Sequence, residues 1–147
     1  IYGNFGQSNY GAAKLGVIGL MNVLHLEGEK YGIKVNALAP TAATRMTENL
    51  LPEEALKLLT VESVSAGLVY LVSEGAPSRL ILCAGAGGYA ATRIYETEGI
   101  GLPVGEQTAE NVALHIDEII NPKSQQPYTQ GAQQAMKFLE KAAALEK

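Results

Sequence analysis

Asn9-Tyr10-Gly11-Ala12-Ala13-Lys14 opens a long apolar segment, and Val35-Asn36-Ala37-Leu38-Ala39-Pro40 follows it after Gly32. Gly3 to Asn9 is rich in Gly, Asn, Gln and Ser and reads as a loop. Ser8 or Asn9 is expected to cap a helix running from Tyr10 to about Lys30. Its first four turns are small or apolar on nearly every side, with Ala12, Ala13, Leu15, Val17, Ile18, Leu20, Met21, Val23 and Leu24. A surface helix has one wet face. This one calls for cover on two sides, one of them a sheet.

Gly32 is expected to stop the helix. Ile33 to Ala39 then reads as a short buried strand ended by Pro40. Thr41 to Leu51 reads as a loop, and Pro52-Glu53-Glu54 as a helix start. A helix from about Val61 to Glu74 places Val64, Leu68, Leu71 and Val72 at core spacing. Gly75 to Ser78 is a turn, and Arg79 to Ala84 a second short strand. Strand, crossover helix and strand make a βαβ unit, which implies a parallel sheet. Tyr89 to Thr97 reads either as a strand or as a loop. Thr108 caps an expected helix to about Ile120, Asn121-Pro122 breaks it, and Gln130 to Lys147 reads as a final Ala-rich amphipathic helix.

The chain has 147 residues, 47% hydrophobic and 18% charged, which suits a globular fold. Net charge is -4 and the pI about 5.2. A general nucleic-acid binder needs a basic face, so none is expected as a partner. No long uncharged apolar run predicts a membrane span. Cys83 is the single cysteine, which excludes an intrachain disulfide and favours a reducing compartment such as the cytoplasm. The first residue is Ile1 rather than Met, inside a loop-like stretch, so the chain is expected to be the C-terminal part of a longer protein.

Tyr10 and Lys14 lie four apart, on one face of a helix and one turn from each other. A phenol with a pKa of about 10 is a poor acid or base at neutral pH. A fixed ammonium beside a phenol favours the phenolate, and the phenol can then exchange a proton with a hydroxyl or carbonyl oxygen. The spacing alone is weak, because most such pairs are ordinary helix surface. The context is specific: a Gly-rich loop, the pair, an apolar helix, then a strand ending in Pro and a Thr-rich loop.

This order resembles the short-chain dehydrogenase/reductase family. There, a Tyr-x-x-x-Lys helix is followed by a strand reading roughly Val-Asn-x-x-x-Pro-Gly. Leu80 to Ala84 followed by Gly85 to Gly88 resembles the family's last core strand and its Gly-rich end. The resemblance covers residues 1 to about 98. It implies the C-terminal part of a Rossmann-like, doubly wound parallel α/β sheet over 1–98, with an added helical tail over 99–147. It implies an oxidoreductase that interconverts a secondary alcohol and a ketone with NAD or NADP as cofactor. Tyr10 would be the general acid/base, and Lys14 its partner and a ligand of the nicotinamide ribose. Pro40, Thr41 and Ala43 would flank the nicotinamide, with Thr44 able to bond the carboxamide. Thr41 stands where the family usually has Gly, and the loop's Thr is shifted by about one position. The family's dinucleotide-binding Gly-rich turn and its catalytic Ser would both lie ahead of Ile1.

A narrower resemblance rests on Gly3 to Tyr10, on Ala39-Pro40 and on Thr44-Arg45-Met46-Thr47. It points to the (3R)-hydroxyacyl-CoA dehydrogenase group of multifunctional beta-oxidation enzymes. It implies a 3-hydroxyacyl-CoA substrate, NAD, and a peroxisomal location in a eukaryote. Two alternatives stand beside it: a reductase of 3-oxoacyl thioesters or other carbonyls, and a non-catalytic dinucleotide-binding or oligomer-forming homologue. No metal site is expected, since His25 and His115 have no ligand cluster beside them and read as structural. Cys83 reads as a small core residue, and Gly85-Ala86-Gly87-Gly88 as a turn rather than a phosphate cradle. Ala13, Val17, Leu20 and Leu24 recur at helical spacing and read as an apolar stripe on the outer side of the helix. That stripe predicts a homodimer or homotetramer formed through the Tyr10–Lys30 helix.

Overall fold

The computed structural model describes residues 1–45 and 52–146. The chain divides into two compact units, Ile1–Thr92 and Arg93–Lys147.

The first unit begins with helix α1, Ser8–Gly28, extended by a 3-10 turn over Glu29–Tyr31. Neither Ser8 nor Asn9 caps it. Gln7 holds the N-cap position through its backbone, its carbonyl accepting the Gly11 amide at 2.8 Å. Gly32, at φ 69°, ends the helical run as expected. Strand β1 is Ala37–Pro40, shorter than the predicted Ile33–Ala39. Residues 33–36 are not strand because their polar bonds go elsewhere. The Val35 amide donates to Ser78 Oγ at 3.0 Å, and the Asn36 side chain reaches the chain ahead of the next strand.

Helix α2, Glu53–Leu58, carries the two acids in its first turn, after Pro52 at the N-cap. Helix α3, Val61–Leu71, is shorter than the expected run to Glu74, and the Thr60 hydroxyl caps it by accepting the Ser63 amide. Strand β2, Ile81–Gly85, pairs parallel with β1, as the βαβ reading requires. Strand β3, Gly88–Thr92, then settles the alternatives for the segment after Gly88. It pairs antiparallel with β2, giving the sheet order β1-β2-β3. The hairpin turns on Ala86 and Gly87 at φ 49° and 76°, the two positive values of a type I′ turn.

Successive strand residues face opposite sides of a sheet. Ile81 packs with Ile18 and Met21 of α1, joined by Val35, Ala37 and Ala39. On α3, a Cβ at Gly67 would lie 3.2 Å from Leu82 and 3.5 Å from Ala84, residues of the other parity. Helices therefore cover both faces of the sheet, the doubly wound arrangement expected.

The second unit is mostly helical. The helix expected from Thr108 to Ile120 is interrupted at His115, leaving α4, Ala109–Leu114, and α5, Ile116–Ile119. The Thr108 cap is as predicted, accepting the Asn111 amide. Helix α6, Gly131–Leu145, starts with a capping box between Gln130 and Gln133. Its inward side is unusual. Lys137 is only 8% exposed and bonds Glu96 and the Thr97 carbonyl, while Lys141 pairs with Glu98 at 2.6 Å. The hydrogen bond from Lys137 holds the Glu96 carboxyl below the usual carboxylate range. Burial pushes the Lys137 ammonium down, but its bond and charge contact with Glu96 outweigh that and raise it. Among the described residues, no helix is long and apolar enough to cross a membrane, and no three His, Cys, Asp or Glu residues form a metal-binding group.

Two outcomes follow for stability. Asn36 donates to the Pro77 carbonyl at 2.8 Å and accepts the Leu80 amide at 2.8 Å. Asn36→Ala leaves that amide unpaired and should cost about 1–3 kcal/mol in urea unfolding; a loss within error would show that the bridge is dispensable. In the second unit, Glu96 and Glu98 are both held below 4.5 by their lysines. Their contribution is present above 4.5 and lost as pH falls through the lower folded values. Thermal melting followed by circular dichroism should decline below that point, and Glu96→Gln should flatten the decline.

Candidate active site

Tyr10 and Lys14 sit in the first two turns of α1, and Ile18 continues the same face one turn further on. Ile18 and Met21 are 5% and 3% exposed, so this face is the one that meets the sheet. The C-terminal half of α1 is tied down beside the start of β2. Arg79 Nε donates to Asn22 Oδ1 at 2.9 Å, and His25 Nδ1 bonds Ser78 Oγ at 2.9 Å. His25 thus has the structural role expected of it.

These anchors give the helix its direction. Its C-terminal half lies at the start of β2, so its N-terminal turns point to the carboxyl ends of the strands. Tyr10 is eight residues before Ile18, about 12 Å along a helix. Gly85 is four residues after Ile81, about 13 Å along a strand. The first turn of α1 is therefore level with the ends of β1 and β2. In open α/β sheets this carboxyl edge is where ligands bind.

Tyr10 is 56% exposed, and the Lys14 ammonium stands 5.4 Å from the centroid of its ring. Neither makes an ion pair among the described residues. Both polar groups face outward from a firmly held backbone. Pro40 ends β1, and the Thr41 amide extends the ladder by donating to Ala84 O at 2.8 Å. The Ala43 amide donates to Leu59 O at 2.7 Å, and Thr44 also has an interaction of its own. A cavity of about 440 Å³ opens at this end, lined among others by Thr41, Leu59, Cys83, Gly85 and Tyr89. Met46 and Thr47 lie outside the described residues. Cys83 is half-buried rather than fully in the core, with its sulfur 3.1 Å from Thr92 Oγ1. The Thr92 hydroxyl also meets the Tyr2 hydroxyl at 3.1 Å, a link the sequence gave no sign of.

The donor set suits a nicotinamide dinucleotide. An exposed ammonium and a phenol share one face at the strand edge, where a ribose and a carbonyl oxygen could be held together. The neighbouring loop offers backbone and hydroxyl groups.

Several known proteins resemble the chain. Residues 1–55 match the short chain dehydrogenase family. A Mycobacterium tuberculosis protein named among short-chain type dehydrogenases/reductases is 61% identical over 74 residues, 50% of this chain and 26% of its own length. The peroxisomal hydratase-dehydrogenase-epimerase of Neurospora crassa is 39% identical over 124 residues, 82% of this chain and 14% of its own length. The full-length peroxisomal multifunctional enzyme type 2 from Drosophila melanogaster superposes with a TM-score of 0.85 at 26% identity, over 98% of this chain and 27% of that one. The chain thus spans less than a third of each of these proteins. The resemblance read from Tyr10, Lys14 and the strand ending at Pro40 is to the same family, and the tail beyond Thr92 is matched as well in the Drosophila structure.

Proposed function

We propose that this chain carries the proton-transferring part of an NAD(P)-dependent oxidoreductase that interconverts a secondary alcohol and a ketone, with 3-hydroxyacyl-CoA as the substrate. The observation that carries the reading is the Tyr10–Lys14 pair, anchored by the Ile18 and Met21 face at the carboxyl edge of a parallel strand pair. The acyl-CoA form draws on the likeness to multifunctional enzymes across both units. The peroxisomal names of these two relatives favour the same location here.

The nicotinamide, when bound, supplies the site that accepts or donates a hydride. Tyr10 takes the proton of the substrate hydroxyl during oxidation and returns it to the carbonyl oxygen during reduction. Lys14 places its charge beside the phenol, and its donors would hold the ribose hydroxyls. Pro40, Thr41 and Ala43 would flank the nicotinamide, and Thr44 would bond its carboxamide. In the full-length protein, Tyr10→Phe removes only the phenol hydroxyl and should lower kcat by about 10²–10⁴-fold. Lys14→Ala should lower kcat and weaken cofactor binding together. Steady-state kinetics on a 3-hydroxyacyl-CoA decides the matter, and near-normal kcat in Tyr10→Phe would sink the assignment.

Copies of the chain pair through α1, forming a homodimer or homotetramer. Val17 and Leu20 are 51% and 57% exposed, and Ala13 and Leu24 are exposed with them. Burying one such side chain contributes about 1.5–3 kcal/mol, and a two-fold contact would cover both stripes at once. Replacing Val17 and Leu20 with Glu should dissociate the full-length protein, as read by light scattering. A monomeric wild type, or a double mutant that assembles unchanged, would rule the contact out.

A further inference from the structure

Thr41 leaves β1 by turning over the end of β2. Its amide still donates to Ala84 O at 2.8 Å, but a Cβ on Gly85 would stand 2.7 Å from Thr41 O and 2.9 Å from Thr41 Cβ. Neighbouring strands lie about 4.7–4.9 Å apart, so a side chain at this position normally clears the adjacent backbone. Here the Thr41 peptide occupies the space that the side chain would need.

Gly85 has little room to retreat. It is the last register pair of the β2–β3 hairpin, opposite Gly88, and the two-residue turn follows directly. Its own backbone is outside the left-handed region, so alanine there carries no conformational strain of its own. The effect of an added methyl is therefore its contact with Thr41. The far end of the same short loop is held by the Ala43 amide on Leu59 O at 2.7 Å. A displaced Thr41 must move the segment between these two backbone bonds.

We infer that Gly85 is a positioning residue. By lacking a side chain it lets Thr41 fold over the end of β2, and so it sets where the Thr41–Thr44 loop stands against the nicotinamide. For the cofactor this rests on the oxidoreductase reading above. Thr41 occupies the position where the resembling family usually carries Gly, so the two positions form a coupled pair. A β-carbon is accommodated at 41 because none is present at 85.

The test is a double-mutant cycle in the full-length protein, read by calorimetric titration with NAD and NADP and by melting temperature. Gly85→Ala overpacks the contact and displaces the loop. The dinucleotide Kd should then rise by about tenfold. In the Thr41→Gly background the 2.9 Å contact is gone, and the peptide carrying the 2.7 Å contact can rotate away. There the same change at Gly85 should raise Kd by no more than about threefold and should lower the melting temperature less. Unchanged dinucleotide binding in a folded Gly85→Ala protein overturns the inference, as does an equal loss in both backgrounds. A wild type that binds neither dinucleotide overturns the oxidoreductase reading instead. In that case the melting temperatures decide the coupling, and additive losses refute it.

Discussion

Burial of Ile18 and Met21 against Ile81 is the contact on which the first unit depends. A helix laid on a sheet can rotate about its axis and slide along it, and either motion would move Tyr10 away from the strand edge. Each buried side chain of this size contributes about 1.5–3 kcal/mol, which sets the rotation. Hydrophobic contact is non-directional, so it sets the sliding less firmly. The bonds from Asn22 to Arg79 and from His25 to Ser78 supply that second constraint, because hydrogen bonds have a defined distance and angle.

The same short segment before β2 also sets the strands. Ser78 accepts the Val35 amide while it bonds His25, and Asn36 holds both Pro77 and Leu80. With β1 four residues long and β2 five, the ladder alone gives few bonds. Residues 77–80 therefore act as a junction at which α1, β1 and β2 meet. Loss of one polar partner there would loosen the helix anchor and the strand register together.

The sequence made the candidate site of this unit legible, since Tyr10, Lys14 and the apolar run ending at Pro40 are close together in the chain. It was less informative where the deciding partner is distant. Ile33 to Asn36 carries an apolar pattern that reads as strand, but Ser78 and the residues around it divert its polar groups. The spacing of Val112, Ile116 and Ile119 continues smoothly through His115, yet the helix is interrupted there. The sequence does not single out Lys137 within the amphipathic helix. Its partner Glu96 lies 41 residues earlier, and pairing of that kind leaves no local pattern. The close approach of Thr41 to Gly85 was equally hidden, although the departure from Gly at position 41 was visible as an anomaly.

Chemistry and stability are separated along α1. Tyr10 and Lys14 are exposed at its first turns, while the groups that hold it lie from one to four turns further along. These two side chains are not part of the packed core, and no ion pair among the described residues involves them. The backbone beneath them is nonetheless fixed, because a helix transmits its anchored rotation rigidly over about 12 Å. The loop at the strand end has the opposite design. Two backbone bonds hold its ends, and the missing side chain at Gly85 gives Thr41 its place.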